Sequence, residues 1–385
     1  MDLPQVAVVV PTYWCGSLPD RGPFDHPTPL SSPSPLERLL ASLAIQRGVE
    51  FLLVVLVATH PPWVSPEAEK EVGRNLAGFR GNWPVVVVGH REAAWLQRWA
   101  GSWGFPPGAV GLAGYGQVRN LQLLVPYLLG AQVTVAVDDD EVLPPEYLRR
   151  ATAHVGRRLA GRPILGVGGL YQDPQGDVSL PAGAPTGNPF LDKAQLINAT
   201  VARLAAGPGR LVDTPLAFGG NMVFGRELVS QVPFDPWVGR GEDIDYVLSA
   251  RIRGIRFWLD KQLMVTHLPP AAYRASACAM LRRDVYRFLY ERAKLNEACA
   301  HGLAGELDLE PYPGQLLGDR LELQAAALRA VCGGRRAETF VGAARRQADR
   351  RSGAYFPLQE RWTVLLATGG VDRRARGFVR GLAER

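Results

Sequence analysis

Val135-Ala136-Val137-Asp138-Asp139-Asp140-Glu141 restricts the possible folds of this chain more than any other stretch. Apolar residues running straight into clustered carboxylates read as a buried strand whose C-terminal end delivers acid into a cleft. Three adjacent aspartates cannot all stay ionised and unpaired near neutral pH without a compensating cation. Oxygen-rich clusters suit hard divalent metals, and an ion held by few carboxylates completes its shell with phosphate or water. The competing reading is an acidic loop capping the next helix, which Pro144-Pro145-Glu146 is suited to open.

Further strand candidates are Ala7–Val10, Phe51–Val57 and Pro84–Val88, with Val133–Val137 as the fourth. Helical segments fall between the first two and before the fourth, so the chain predicts an α/β fold with a largely parallel sheet covered by helices on both faces. Ligands in such sheets bind beyond the strand C-termini. Pro11-Thr12, Thr59-His60, His90-Arg91 and Asp138–Asp140 all follow strands at that end. The 385 residues suffice for one large domain and an appendage. Hydrophobic content of 47% and charged content of 21% are those of a globular protein rather than a disordered one. No apolar stretch approaches the ~20 residues of a membrane span. Cys15, Cys278, Cys299 and Cys332 show no Cys-x-x-Cys spacing, and with no signal-peptide pattern a reduced, cytoplasmic setting is expected.

Phe218-Gly219-Gly220-Asn221-Met222-Val223-Phe224 reads as a tight turn feeding a strand. Arg240-Gly241-Glu242-Asp243-Ile244-Asp245-Tyr246 opens a helix, with Ile244, Val247, Leu248 and Ile252 at helical spacing. A strand-like run from Gln262 to Thr266 ends at His267. In this order, the strand with its Asp-x-Asp, the Gly-Gly turn, the Gly-Glu-Asp helix and the strand with its His resemble the GT-A nucleotide-sugar glycosyltransferases. The family 2 type is the nearest likeness, and the Gly-Glu-Asp and distal His are similar to the galactosyltransferase-like branch. The resemblance covers residues 5 to 270. It takes in Val6 to Tyr13 as first strand and nucleotide-facing turn, Leu36 to Gln46 as first helix, and Gly114 to Asn120 before the acidic strand.

The resemblance implies a Rossmann-like GT-A catalytic domain over 1–270, followed by a helical, Arg-rich region over 271–385. It implies transfer of a sugar from a nucleoside-diphosphate donor to a hydroxyl acceptor, with Mn2+ or Mg2+ as cofactor. Asp140 would ligate the metal directly and His267 would complete the site. Asp138 would reach ribose or a metal-bound water, with Asp139, Pro11, Thr12 and Tyr13 also on the donor side. Arg119 is suited either to a phosphate or to pairing with an Asp. Gly219 and Gly220 would let backbone approach the sugar closely. Asp243 is the candidate general base for an inverting transfer, kept ionised by a helix N-terminus, and Glu242 would hold the acceptor hydroxyl. Acids are also favoured in any first helical turn, so this trio has a purely structural alternative. The acceptor pocket is expected from residues 172–214 and Trp237.

The sequence departs from the family's pattern in two places. The second strand runs into Ala58-Thr59-His60 without the Asp that often meets the nucleotide base, so donor choice stays open. Trp14 to Pro35, rich in Pro, Ser and Gly, reads as an inserted loop, either a lid or a loose insertion. Beyond residue 270, Leu281, Val285, Phe288, Leu289 and Leu295 form an amphipathic helix with Arg282, Arg283, Arg287 and Arg292 around it. Residues 331–385 hold twelve Arg, no Lys and five acids, a local charge of +7 against +6 for the whole chain. Such a surface suits an anionic acceptor or peripheral contact with a membrane, or is simply a solvated helical face. No nucleic-acid motif is visible. Two further function classes share some of these features: a nucleotidyltransferase, though no Gly-rich phosphate loop follows the first strand, and a non-catalytic nucleotide-sugar-binding module.

Overall fold

The computed structural model describes residues 3–16, 22–269, 276–303, 307–334 and 336–383. The strands in chain order begin with β1 (Val6–Cys15), β2 (Thr28–Pro29), β3 (Phe51–His60), β4 (Val85–Val88), β5 (Val133–Ala136) and β6 (Glu141–Val142). A small separate hairpin, β7 (Arg158–Leu159) with β8 (Arg162–Pro163), precedes β9 (Gly166–Gln172), β10 (Leu211–Asp213), β11 (Met222–Gly225) and β12 (Trp258–His267). Among the described residues, ten of these strands form one sheet in the order β10-β12-β9-β11-β5-β1-β3-β4, with β2 on β1 and β6 on β12. The half from β5 to β4 is parallel, as the sequence predicts, while β11 enters antiparallel between β5 and β9.

The helices are α1 (Leu36–Ala44), α2 (Ser65–Ala77), α3 (His90–Ser102), α4 (Tyr115–Leu129), α5 (Tyr147–Thr152), α6 (Lys193–Ala206), α7 (Arg226–Gln231) and α8 (Glu242–Ile252). After them come α9 (Ala277–Ala300), α10 (Leu321–Cys332), α11 (Ala337–Arg351), α12 (Tyr355–Gly369) and α13 (Arg373–Ala383). The central strands are buried on both faces, which is why they read as continuous apolar runs. Val9, Leu52, Val54 and Leu56 face one core with α3 and α4. Val8, Val10, Leu53 and Val55 alternate into the other with α1 and α2.

Three sequence expectations need correction. Pro11, Thr12 and Tyr13 are not a turn, because β1 continues through Cys15 in register with β3. Pro11 lies beyond Val9, the last residue of β1 paired with β5, so its missing N–H breaks no ladder there. The expected insertion starting at Trp14 is strand at its beginning: Trp14 is fully buried, and Trp14 and Cys15 pair with Thr28 and Pro29. Residues 17–21 of that insertion, and the expected boundary at 270/271, lie outside the described residues. The thiols are not all reduced, since Cys278 and Cys332 form a disulfide that ties α9 to α10.

The C-terminal helices return to the main sheet. Tyr355, Trp362 and Leu366 of α12 and Val379 of α13 join the core containing Val54 and Leu124. Trp362 Nε1 donates to the Val229 carbonyl at 2.7 Å, and Trp99 Nε1 donates to Asp372 at 2.8 Å. On α9, Arg287 is buried, unlike Arg282, Arg283 and Arg292 around it. Lys294 of the same helix is also fully buried and bridges Asp235 and Asp245 at 3.1 and 2.5 Å. Among the described residues, no helix is long and apolar enough to cross a membrane.

Candidate functional site

β5 ends at Ala136, and the chain leaves the sheet through Asp138, Asp139 and Asp140. The three acids meet different partners. Asp139 accepts a hydrogen bond from Thr12 Oγ1 of the neighbouring strand at 2.6 Å. Asp138, one-fifth exposed, accepts from Arg119 at 3.0 and 3.3 Å. Asp140 lies 3.4 Å from His267 Nε2. That last pair is far apart in sequence and is assembled by β6, whose Glu141 and Val142 pair antiparallel with His267 and Thr266 of β12. The Leu268 N–H donates to the Asp140 carbonyl at 2.8 Å and closes the corner.

Arg119 is the hub. It projects from α4, is nearly fully buried, and donates to Asp138, to Glu242 at 3.2 Å and to Gln122 at 3.0 Å. One guanidinium therefore joins the Asp-rich corner to the Gly-Glu-Asp turn, with its described bonds going to two carboxylates and the Gln122 amide. Asp243, half-buried in the first turn of α8, accepts from the Gly219 N–H at 3.0 Å and the Ile244 N–H at 2.8 Å. The Gly-Gly turn and the Gly-Glu-Asp turn are thus in direct contact. What those glycines admit is protein rather than open space. A Cβ on Gly219 would lie 2.5 Å from Arg119 Nη2, and one on Gly220 would lie 2.1 Å from Glu141 Oε1.

Burial dominates the electrostatics. It pushes the Asp139 carboxyl well above the usual range, helped by Asp140 and opposed by the Thr12 hydroxyl. Glu141 is raised in the same way, by burial and then by Asp138 and Asp140. Glu242 is pushed up to about 7 by burial, against the pull of Arg119. Asp243 is raised by burial too, although the Ile244 N–H and the charges of Arg287 and Arg119 oppose it. The N–H groups at the helix start therefore do not outweigh burial. Burial disfavours the His267 imidazolium, but Asp140 more than offsets this and the pKa rises.

The chemistry of the donor set fits a divalent cation in part. Crowded carboxylates driven toward protonation mark a place short of positive charge, and Glu141 Oε1 is buried with no hydrogen-bond partner among the described residues. The same residues contain no group of three or more His, Cys, Asp or Glu side chains arranged to hold a metal by themselves. Asp140 and His267 offer two ligands, and the rest of a coordination shell has to come from water or a bound oxyanion.

No family model matches the chain, and no curated protein matches it by sequence. Several solved structures are similar in fold. The mannosyltransferase PcManGT from Pyrobaculum calidifontis, in complex with GDP-Man and Mn2+, shares 18% identity over 96% of this chain and 87% of its own, with a TM-score of 0.44. GalNAc-T7 with UDP, GalNAc and Mn2+ shares 13% over 93% and 59%, also at 0.44. S. aureus TarS shares 14% over 90% and 55%, at 0.40.

Two residues of the site escape motif reading. Tyr171, on β9, accepts the Gly220 N–H on its hydroxyl at 2.7 Å and stacks on the His267 ring at 4.8 Å. Glu141 is fully buried and accepts the Asp138 N–H at 3.1 Å. Glu141 adjoins the Asp run and was open to notice, whereas nothing around Tyr171 in sequence marks it. The Tyr13 hydroxyl is buried without a hydrogen-bond partner among the described residues.

Proposed function

We propose that this protein is a metal-dependent glycosyltransferase that moves a sugar, most simply a hexose, from a nucleoside-diphosphate donor to a hydroxyl acceptor with inversion. The observation that carries the reading is the single network Thr12–Asp139, His267–Asp140, Asp138–Arg119–Glu242 and Asp243–Gly219 at the C-terminal end of the central strands. Six segments remote in sequence meet there, where α/β sheets bind ligands.

In this reading Asp140 and His267 would hold a Mn2+ or Mg2+ ion. Such an ion acts as a Lewis acid toward the charge that develops on a leaving diphosphate. Asp138 faces the ribose or a metal-bound water. Thr12 orients Asp139, and Pro11 and Tyr13 line the donor side. Arg119 keeps Asp138 and Glu242 in place rather than binding phosphate itself. Gly219 and Gly220 bring the turn against Asp243 and Glu141, leaving backbone at the sugar. Asp243 accepts the proton of the acceptor hydroxyl as that oxygen attacks the anomeric carbon. Its upward-shifted pKa brings a carboxylate closer to the basicity such a step needs. Glu242, which burial pushes up to about 7, holds the acceptor hydroxyl.

Calorimetric titration with UDP, GDP, CDP and dTDP, with and without Mn2+, tests this directly. Metal-dependent binding of one nucleotide that is lost in Asp140→Ala is the expected result. Absence of binding across the panel would remove the donor site.

A further inference from the structure

A chain of ion pairs lies next to the Gly-Glu-Asp turn and takes no part in the donor site. Arg283 of α9 donates to Asp25 at 3.0 Å, and Asp25 accepts from Arg240 at 2.9 Å. Arg240 donates to Asp284 at 2.7 Å, and Lys193, the first residue of α6, donates to the other oxygen of Asp284. Three cations thus share two carboxylates. A fourth cation, the buried Arg287, lies behind them with Nη1 so close to Gly241 that a Cβ there would be 1.6 Å away.

We propose that Lys193 and Arg240 form an anion subsite beside Asp243, and that the hydroxyl acceptor carries a phosphate or carboxylate group held there. The inference rests on the reading of Asp243 as the residue that meets the acceptor. Both cations keep unused donors. Among the described residues Lys193 Nζ meets one acceptor, Asp284, and Arg240 Nη2 meets none. Both are open enough to be reached, their side chains being 23% and 24% exposed. A cation stripped of most of its water and left with spare N–H groups is the ordinary design of an oxyanion site.

Place and charge agree with this. Arg240 directly precedes Gly241-Glu242-Asp243, and the half-buried Trp237 and Phe218 belong to the apolar cluster that flanks them. The carboxylates of Asp138–Glu141 repel an anion, whereas Lys193 and Arg240, with Arg283, are three cations that share only Asp25 and Asp284. Burial lowers the Lys193 pKa to about 8; Asp284 resists the change, while Arg240 and Arg287 add to it. Lys193 is therefore a cation short of negative charge. The donor diphosphate is the other source of the same chemistry, and the test has to separate the two.

The full chain is titrated calorimetrically with sodium phosphate, with glycerol 3-phosphate and with glycerol as the neutral control, without nucleotide or metal. Saturable binding of both phosphates and not of glycerol is expected. It should weaken about tenfold or more in Lys193→Met, recover in Lys193→Arg and persist in Asp140→Ala. No saturable binding of either phosphate overturns the proposal. Binding that is lost in Asp140→Ala but kept in Lys193→Met also overturns it, because the anion would then occupy the donor end. The same samples titrated with nucleotides and Mn2+ separate this inference from the transferase reading. Nucleotide binding without phosphate binding sinks the subsite alone. Phosphate binding at Lys193 without nucleotide binding leaves an anion site and sinks the transferase.

Discussion

At the residue scale, the site divides into groups whose loss should have different signatures. Asp140→Ala removes one of two candidate ligands and should abolish the metal-dependent part of nucleotide binding. Asp243→Asn keeps the volume and one of the two N–H bonds, to Gly219 or Ile244, while removing the proposed base. Nucleotide affinity should then hold while sugar release from the donor, with water or acceptor, falls by about a hundred- to ten-thousand-fold. Parallel loss of binding in both variants would show that the two aspartates do not have separate roles. Gly220→Ala tests the close approach at the turn, because its new Cβ would meet Glu141 Oε1 at 2.1 Å and Asp138 Cγ at 2.8 Å. Overpacking of this kind costs about 1–3 kcal/mol, measurable as a lowered urea midpoint. An unchanged midpoint would mean that Glu141 swings away freely.

At the element scale, short pieces do much of the positioning. β6 is two residues long, yet its pairing with the end of β12 sets Asp140 beside His267. Helix α4 carries Arg119 to the end of β5 and the start of α8, so one side chain reaches both acidic turns. The disulfide between α9 and α10 closes a stretch with a sequence separation of 54, and its removal in Cys278→Ser should cost about 2–4 kcal/mol by freeing the unfolded chain. Equal melting temperatures for the native and reduced forms would show that the bond adds nothing to the packing of α9, α10 and α11.

At the scale of the whole molecule, the C-terminal helices are held to the sheet by buried charge as well as by apolar packing. Lys294 spans Asp235 and Asp245 with no exposure, so Lys294→Met leaves two buried carboxylates facing each other. A loss of about 3–5 kcal/mol in urea unfolding is expected, as for other broken buried pairs. The same region sets a pH dependence. Burial pushes Glu291 up to about 8 and Asp245 up to about 6, against the pull of Arg287 and Lys294 respectively. In the unfolded chain both lose their protons near pH 4, so between there and pH 8 the folded state binds more protons. The stability these groups provide is therefore complete at acid pH and declines as pH rises toward 8. Unfolding free energies from pH 5 to 8.5 should fall along that course, with a shallower slope in Glu291→Gln. An identical slope in the variant would assign the dependence elsewhere.

The sequence by itself determined the α/β class, the central parallel strands, the acid-tipped β5, the Gly-Gly turn, the helix opened by Glu242 and the strand ending in His267. All of these are local, written in apolar runs, turn residues and helical spacing that neighbouring residues settle among themselves. Tertiary structure decided what local pattern does not contain. The antiparallel entry of β11, the strand rather than turn at Pro11 to Tyr13, and the meeting of Asp140 with His267 all depend on pairing between distant segments. Arg119 was legible as a candidate, but its pairing with Asp138 and Glu242 is a matter of which carboxylates the fold brings within reach. Tyr171, Lys193, Arg287 and Lys294 carry no signal in sequence, since a lone tyrosine in a strand or a cation on an amphipathic helix reads as solvent-facing until the surface covering it is known.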